Sequence, residues 1–264
     1  MVKDRFKDKV VLITGTTHGM GQATAARLAA EGAIVACNHR PTSSPDVTMQ
    51  MVKSAGGEGF PVAADMSKPD QVINMIKETV RQAGRLDYVV SNAAIIPSMK
   101  WDQTVMEDYD LMMNTNLRGT WVVCSEGAKE MIKEGHGGAI VTISSISAYV
   151  GAPDQAVYCS TKAGVLMMSK ALARDLGKYN IRVNSILPGA INTNMTVDFL
   201  KPGSVTECFY REKAALKRIG KPSEIASAVS FLLSDDASFI TSAELLIDGG
   251  LIVNAEYDEE ISVF

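Results

Sequence analysis

Short apolar runs alternate with longer amphipathic stretches from one end of the chain to the other. Seven runs predict strands, most of them apolar on both faces as a sheet covered on both sides requires. These runs are Lys9–Thr14, Ala33–Asn38, Glu58–Ala63, Leu86–Ser91, Ala139–Ser144, Arg182–Leu187 and Glu244–Ile247. Between them apolar residues recur at helical spacing, as in Gln71–Gln82, and the stretches end near a glycine such as Gly84. The alternation predicts an α/β fold with a doubly wound, parallel, seven-stranded sheet and helices on both faces.

No linker or charge run divides the 264 residues, so we expect a single domain over residues 1–264. One irregular stretch, 188–217, lies between the sixth strand and the helix that Pro222 and Ser223 begin. We interpret it as a lid. The tail, 251–264, is acidic and then apolar, and its role does not follow from the sequence.

The charge balance favours a small-molecule partner. With 26 Lys+Arg against 30 Asp+Glu the net charge is −4, which argues against nucleic-acid binding. No apolar run is long enough for a membrane span, and Met1 to Lys9 has no leader-like apolar segment, so a cytoplasmic protein without a membrane partner is expected. The cysteines are far apart and only three histidines accompany them, so neither a metal site nor a disulfide framework is predicted.

A glycine-rich turn follows the first strand. It reads Gly15-Thr16-Thr17-His18-Gly19-Met20-Gly21, and a helix of small residues is expected over Gln22–Ala30. Glycines let the backbone approach a ligand, and the helix N-terminus offers free N–H groups to a pyrophosphate. The turn lacks the Lys-Ser/Thr ending of a nucleoside-triphosphatase loop, so a dinucleotide is favoured over ATP or GTP.

The end of the second strand bears on the choice of dinucleotide. An acidic residue here would bind the ribose 2′-hydroxyl and repel a 2′-phosphate, but the chain has His39 and Arg40. NADP(H) is therefore favoured, with His18 as a further donor, and NAD(H) is the alternative because Arg40 could be an ordinary surface charge. Asp65 is placed to accept from the adenine amino group, or else it caps a helix near Ser67.

Tyr158 and Lys162 are four residues apart at the start of a helical stretch that continues to Leu176, which puts them on one helix face. A phenol has a pKa of about 10, and a neighbouring ammonium would lower that pKa toward the range of an acid/base catalyst. Ser144 and Ser145 end the fifth strand, at the edge of the sheet where doubly wound folds bind ligands.

Together these motifs resemble the short-chain dehydrogenase/reductase family, whose single-domain form has a Rossmann fold of about 250 residues. The resemblance covers about Lys7 to Gly250. It implies a catalytic tetrad of Asn116, Ser145, Tyr158 and Lys162, in which Tyr158 follows Ser145 by 13 residues. The cofactor residues implied are Gly15, Thr17, His18, Gly19, Met20, Gly21, His39, Arg40, Asp65, Met66, Asn92, Ala93, Tyr158, Lys162, Pro188, Gly189, Ile191 and Thr193.

The resemblance also implies a mechanism, in which hydride passes between the nicotinamide and a carbinol carbon. Tyr158 would donate or remove the proton of the substrate oxygen, and Ser145 would polarise that oxygen. Lys162 would bind the nicotinamide ribose and lower the pKa of the phenol, and Asn116 would hold a water leading to solvent. Taken singly, Ser145 could be a strand-end cap, Asn116 a core amide and Thr193 a solvent-facing lid residue.

The substrate is expected to be a bulky or apolar secondary alcohol or ketone, hydroxysteroid-like or cyclic, because the segments around the site are apolar. Their large residues are Ile95, Ile96, Met99, Trp101, Tyr149, Val150, Met195, Phe199 and Phe209. Where the family usually has Asn-Asn-Ala-Gly, this chain has Ser91-Asn92-Ala93-Ala94, and Ala94 is expected to reduce backbone freedom and narrow the pocket.

Two further expectations complete the interpretation. The family resemblance implies a homo-oligomer, a dimer or tetramer, and the apolar spacing of Val165, Met168, Leu172 and Leu176 fits burial against either a partner or the sheet. The alternative to an enzyme is a catalytically silent dinucleotide-binding regulator or subunit of the same fold, although the complete tetrad argues against it.

Overall fold

Seven strands form one parallel sheet in a computed structural model of the chain, which describes residues 2–97, 100–198 and 200–252. In chain order β1 to β7 are Val10–Ile13, Ile34–His39, Glu58–Ala63, Tyr88–Ser91, Gly138–Ile143, Ile181–Pro188 and Glu244–Ile247. They lie side by side in the order β3-β2-β1-β4-β5-β6-β7. The predicted doubly wound Rossmann sheet is confirmed, with strand ends within two residues of the predicted ones.

Helices connect the strands. In chain order α1 to α8 are Gly19–Ala30, Asp46–Ser54, Pro69–Ala83, Met106–Met112, Gly119–Glu134, Ala156–Leu176, Val205–Lys213 and Pro222–Leu233. A π-helical segment, Met113–Arg118, joins α4 to α5. None of the helices in the part of the chain just given is long and apolar enough to cross a bilayer.

Each face of the sheet carries its own apolar core, because successive side chains of a strand point to opposite faces. In β1, Val11 and Ile13 belong to the core that α1 and α8 cover, and Leu12 belongs to the core under α3, α5 and α6. Leu172 and Leu176 of α6 lie in this second core. The apolar spacing of α6 is thus explained by packing against the sheet.

The strand order reverses between β1 and β4. Strand β1 pairs with β2 on one side and with β4 on the other, so the connections after β1 and β4 run to opposite faces of the sheet. In an open α/β sheet this arrangement leaves a crevice at the carboxyl edge. The glycine turn follows β1 and Asn92 follows β4, so both predicted motifs lie at this crevice.

The predicted irregular stretch, 188–217, contains a helix, and that part of the prediction is wrong. Helix α7 begins after Ser204, whose Oγ accepts a hydrogen bond from the backbone N–H of Glu207 at 3.1 Å. This Ser-x-x-Glu spacing is a helix-start signal that the sequence carries. Of the tail, residues 253–264 lie outside the described part.

Candidate active site and dinucleotide cleft

The glycine turn packs against the β4 loop so closely that side chains would not fit. Gly15 has φ +69°, and a Cβ there would lie 2.9 Å from Cα of Ala93. A Cβ on Gly21 would lie 2.3 Å from the carbonyl oxygen of Gly15 and 2.6 Å from Nδ2 of Asn92. Gly19 also has positive φ, +63°. These three glycines are therefore required by backbone geometry.

Hydrogen bonds join the loops after β1 and β4 into one unit. The Thr14 hydroxyl accepts from the backbone N–H groups of Asn92 and Ala93, at 2.9 and 3.0 Å. Asn92 donates from Nδ2 to the carbonyl oxygens of Thr14 and Gly15, at 2.9 and 3.1 Å. From the other side, the buried Asn38 accepts from the N–H of Gly15 at 3.1 Å. Thr14 and Asn38 were not among the predicted site residues.

The cleft above this unit fits a dinucleotide. At the start of α1 the side chain of His18 makes no capping hydrogen bond, so the first-turn N–H groups are not capped by a side chain. At Gly15 and Gly21 the turn leaves no room for a Cβ, so the backbone itself forms this wall of the cleft. The N-terminus of α1 beside it favours an anionic group such as a phosphate. Its lining includes most of the predicted cofactor residues: Gly15, Thr17, His18, Gly19, Met20, Arg40, Asp65, Met66, Asn92, Ala93 and Thr193.

His39 and Arg40 take different positions. Arg40 is exposed and lines the cleft, whereas His39 is not among the described lining residues. Nδ1 of His39 lies 3.0 Å from the carbonyl oxygen of Arg40 and 2.9 Å from that of Ser43. Since both partners are acceptors, this nitrogen carries the hydrogen. His39 therefore holds the loop that presents Arg40.

Asp65 lines the cleft and is held by a local turn. Its Oδ1 accepts from the backbone N–H and the hydroxyl of Ser67, both at 2.8 Å. The residue that caps α3 is Lys68, so Asp65 is not a helix N-cap. Met66 is buried beside it, and its carbonyl oxygen would lie 2.5 Å from a Cβ on Gly119.

A second pocket, adjoining the first, holds Ser145, Tyr158 and Lys162. Lys162 is buried, and its Nζ donates to the carbonyl oxygen of Ile143 at 2.9 Å and lies 5.6 Å from the Tyr158 ring centroid. Ser145 accepts from the backbone N–H of Ser147 at 3.0 Å and hydrogen-bonds the Tyr158 phenol. The structure thus brings three members of the predicted tetrad together.

The pKa shifts in this pocket come from burial. Desolvation raises the pKa of Tyr158 to about 12, and the hydrogen bond from Ser145 offsets only part of that. Burial lowers the pKa of Lys162 to about 8. Burial therefore outweighs any lowering of the Tyr158 pKa by Lys162 in this pocket, because removal from water opposes the charged form of both groups.

Asn116, the fourth predicted member, is buried in the π-helical segment. Its Oδ1 accepts from the N–H of Ile95 at 2.8 Å, and Nδ2 donates to the Ile95 carbonyl oxygen at 2.9 Å and to Oγ1 of Thr161 at 3.3 Å. Both amide hydrogens are thus engaged within the protein. Asn116 ties the β4 loop to α6, beside Tyr158 and Lys162.

The segment after β6 forms another wall. Pro188, Gly189, Ile191 and Thr193 line the second pocket. Thr193 is held by Thr196, whose Oγ1 lies 3.1 Å from the Thr193 Oγ1 and accepts from its N–H at 2.9 Å. A Cβ on Gly189 would lie 2.7 Å from Cβ of Asp248, so the start of this segment is packed against the strand β7 end.

The expected apolar lining is only partly present. Ile96 and Met195 line the second pocket, and Ile95 lines the dinucleotide cleft. Four others are at least 42% exposed and do not line the pocket: Trp101, Tyr149, Val150 and Phe209. Met99 and Phe199 lie outside the described residues. In α7 the neighbour of Phe209, Tyr210, lines the pocket instead, because adjacent helix positions point in different directions.

Polar residues of the segments expected around the site, which the sequence interpretation did not single out, complete the pocket: Ser147, Gln155, Thr196 and Tyr210. Gln155 precedes Tyr158 by three residues, and Tyr210 comes from the helix that the capping signal at Ser204 would have revealed. Ala94 lines both cavities without positive φ, so this turn does not require a glycine.

The comparisons with known proteins agree with this arrangement. A family model described as enoyl-(acyl carrier protein) reductase matches residues 15–252. An L-rhamnose 1-dehydrogenase (NAD(P)(+)) of Sphingomonas sp. (strain SKA58) is 36% identical over 252 residues, 95% of this chain and 99% of that protein. The chain belongs to the short-chain dehydrogenase/reductase family. A 3-oxoacyl-(acyl-carrier-protein) reductase of Thermotoga maritima is 35% identical and covers 94% of this chain and 100% of its own.

Solved structures of short-chain dehydrogenases/reductases share the fold. Levodione reductase superposes with a TM-score of 0.90 at 33% identity, over 95% of this chain and 100% of that one. A short chain dehydrogenase from Burkholderia cenocepacia J2315 in complex with NADP has a TM-score of 0.87 at 30% identity, over 94% and 99% of the two chains. Membership in this family makes the protein an NAD(P)-dependent oxidoreductase that acts on alcohols or carbonyl compounds.

Replacement of Lys162 by methionine tests the burial of this family's lysine. We expect Lys162→Met to be more stable than wild type by about 1–2 kcal/mol at pH 7, because it removes a charge that the interior disfavours. The pKa of Lys162 is about 8 in the folded state against 10.5 ordinarily. The cost of folding with the ammonium buried is complete below pH 8 and disappears as the pH approaches 10.5, so the advantage should shrink over that range.

Thermal denaturation between pH 6 and pH 10.5 measures this difference. Lys178→Met is the matched control, since Lys178 is an exposed lysine just beyond the same helix. A variant less stable than wild type at pH 7 would mean that the hydrogen bond from Nζ to Ile143 outweighs the cost of burial.

Proposed function

We propose that this protein is an NADP(H)-preferring dehydrogenase/reductase that interconverts a secondary alcohol and a ketone, with Tyr158 as its acid/base group. The observation that carries the proposal is the pocket in which Tyr158, Ser145 and Lys162 adjoin a cleft suited to a dinucleotide. When bound, the nicotinamide supplies or accepts the hydride.

The proton is handled by side chains of this chain. Because its pKa is raised to about 12, Tyr158 is protonated at neutral pH and is able to donate to the oxygen of a ketone. Ser145, hydrogen-bonded to the phenol, is placed to polarise the same oxygen. In the oxidation of an alcohol the same phenol must first lose its proton, and the buried Lys162 nearby is the candidate for assisting that loss electrostatically.

Arg40 supports the preference for NADP(H). It lines the dinucleotide cleft, and Asp65 is the one carboxylate among the described lining residues. A guanidinium pairs well with a phosphate, whereas it gives the 2′-hydroxyl of NAD(H) little advantage. The NADP complex of the Burkholderia relative is consistent with this choice.

The residues that line the second pocket suit a substrate that is a secondary alcohol or ketone of moderate size. Apolar residues Ile96, Ile146 and Met195 share the pocket with polar groups, so the hydroxysteroid-like substrate expected from the sequence is less favoured than a smaller cyclic one. Of the relatives described above, one is named for the sugar L-rhamnose and another for the 3-oxo group of an acyl chain, which leaves the substrate class open between them.

The protein is also proposed to form a homo-oligomer, a dimer or tetramer. Trp121 of α5 and Met167 of α6 are 48% and 64% exposed, and a second subunit packed on these two helices would cover them. The cytoplasmic location stays a prediction from the sequence.

An absorbance assay at the reduced-nicotinamide band tests the proposed function. Purified protein is supplied with NADP⁺ or NAD⁺ and with secondary alcohols that range from small diols and sugars to hydroxysteroids. Turnover with NADP⁺ supports the proposal. Tight cofactor binding with no turnover across the panel, in either direction, favours the catalytically silent alternative.

Arg40→Ala tests the cofactor preference. We expect the affinity for NADPH to fall about tenfold, because one charge-assisted contact is lost, while the affinity for NADH changes little. Fluorescence titration of both cofactors measures this. Arg174→Ala, an exposed arginine on α6 away from the cleft, is the control. Equal losses for both cofactors, or none, would contradict a role for Arg40 at the 2′-phosphate.

A further inference from the structure

Three polar side chains of the catalytic pocket have no hydrogen-bonding partner for their terminal groups within the described protein. They are the Ser147 hydroxyl, the Gln155 amide and the Tyr210 hydroxyl. Gln155 and Tyr210 are partly buried, and burial raises the pKa of Tyr210. Their end atoms are not among the fully buried, unpaired atoms of the described residues, so they are accessible from the pocket and suited to bind polar atoms of a ligand.

Their positions in the chain place them around the catalytic group. Ser147 follows Ser145 by two residues in the turn after β5, and Gln155 precedes Tyr158 by three. Tyr210 belongs to α7 in the lid, a separate segment of the chain. All three line one pocket with Tyr158. The groups therefore belong to the substrate side of the site.

The charge of the pocket restricts the ligand. Among the described residues that line it, Lys162 is the one charged side chain, and its Nζ already donates to Ile143. A carboxylate or phosphate on the substrate would find only this one buried cation, which the family resemblance assigns to the nicotinamide ribose. The pocket is suited to a neutral compound.

The chemistry of the three groups restricts it further. A hydroxyl and an amide each donate and accept hydrogen bonds, and a substrate hydroxyl matches both roles. A ketone oxygen only accepts, and a methylene does neither. A site that is built to hydrogen-bond a substrate hydroxyl discriminates strongly against the analogue that lacks it, because its own polar groups are then left unpaired.

We propose that Ser147, Gln155 and Tyr210 form a specificity subsite for hydroxyl groups away from the reacting carbon, so that the substrate is a neutral polyhydroxylated ring such as a sugar lactol or cyclic polyol. The apolar side chains of Ile96, Ile146 and Met195 contact the carbon face of that ring. This inference rests on the proposed function and narrows its substrate; where the ring is a lactol, hydride leaves its secondary carbinol carbon and the product is a lactone in place of a ketone.

Matched substrates test the subsite. Tetrahydropyran-2-ol is a lactol ring with no further hydroxyl, and the aldopentopyranoses of both enantiomeric series add three hydroxyls to that ring. For wild type we expect kcat/KM of the best pentose to exceed that of tetrahydropyran-2-ol at least about tenfold, since one well-made hydrogen bond contributes about that factor. Gln155→Leu and Tyr210→Phe should each reduce this ratio to about threefold or less.

Val205→Ala is the control, because Val205 is exposed on the same lid helix and does not line the pocket. It should keep the wild-type ratio. Circular dichroism and NADPH titration confirm that each variant is folded. A wild-type ratio near one, or a ratio unchanged in both pocket variants, would overturn the proposal.

Binding separates this inference from the proposed function. In Tyr158→Phe with NADPH present, calorimetric titration compares the affinities of the same two kinds of ring. Tighter binding of the pentose, together with no turnover by wild type of the pentose or of any alcohol in the panel, would support the subsite and overturn the dehydrogenase function. Equal affinities together with turnover of other alcohols would overturn the subsite and leave the function standing.

Discussion

Tyr158→Phe is expected to reduce kcat by about 10²–10⁴-fold, because proton transfer by a positioned side chain contributes that much to a reaction of this kind. The change removes only a hydroxyl oxygen from a ring that keeps its place in α6. Dinucleotide binding should therefore remain close to that of wild type. Steady-state kinetics with the best alcohol of the assay panel and fluorescence titration of NADPH measure the two quantities.

Tyr179→Phe is the matched control, since Tyr179 is an exposed tyrosine just beyond the same helix. It loses the same atom without touching the pocket and should keep full activity. If Tyr158→Phe retained kcat within about threefold of wild type, acid/base catalysis by this phenol would be ruled out.

The pH dependence of the two directions follows from the same residue. With a pKa of about 12, the phenol is protonated across the neutral range and reduction should not depend on its ionisation there. Oxidation requires the proton to leave, so its rate should rise with pH from neutral toward alkaline values. Initial rates measured in both directions from pH 6 to pH 10 show how the rate of reduction and the rate of oxidation each depend on pH. An oxidation rate that falls with pH over this range would contradict the assignment.

Gly21→Ala is expected to weaken dinucleotide binding about 100-fold. The new Cβ would lie 2.3 Å from the carbonyl oxygen of Gly15, a distance at which the backbone must move. Overpacking of a rigid site costs about 1–3 kcal/mol, and 2.7 kcal/mol corresponds to about 100-fold in affinity. This displacement of the backbone would separate the glycine turn from Asn92 and misalign the N–H groups at the N-terminus of α1. Fluorescence titration with NADPH measures the loss.

Gly177→Ala serves as the comparison. Gly177 has helical backbone angles, and a Cβ there meets nothing within 4 Å. The substitution should leave affinity unchanged and stabilise the fold slightly, by about 0.4–1 kcal/mol, because the unfolded chain loses freedom. Affinities of Gly21→Ala and Gly177→Ala within about threefold of each other would mean that the glycine turn does not set the shape of the cleft.

The sheet was predictable because its determinants are local. Strands covered on both faces are continuous apolar runs, and the helices between them have one apolar face. The spacing of apolar residues was therefore enough to locate all seven strands. The glycine turn and the Tyr158 to Lys162 spacing were predictable for the same reason. The hydrogen bonds that join these elements, such as Asn38 to Gly15 and Thr14 to Asn92, connect residues that are 23 and 78 positions apart. No local sequence pattern marks such contacts.

The substrate side was less predictable, for two physical reasons. Apolar composition of a segment does not say which side chains turn inward, and so Trp101 and Tyr149 point to solvent while Gln155 lines the pocket. The pKa of a phenol depends on its distance from water as well as on its charged neighbours. The sequence supplies the neighbour, Lys162, but not the burial that raises the pKa.

The hydrogen bonds that join Thr14 to Asn92 and Ala93 also bear on the thermodynamics of cofactor binding. A flexible phosphate loop must be ordered when its ligand arrives, and the lost conformational entropy weakens binding. Here the turn after β1 is already fixed to the β4 loop and to Asn38 by the protein's own contacts. Because folding has already ordered this turn, little conformational entropy remains to be lost when a dinucleotide binds. The contacts with the dinucleotide would therefore contribute almost fully to its affinity.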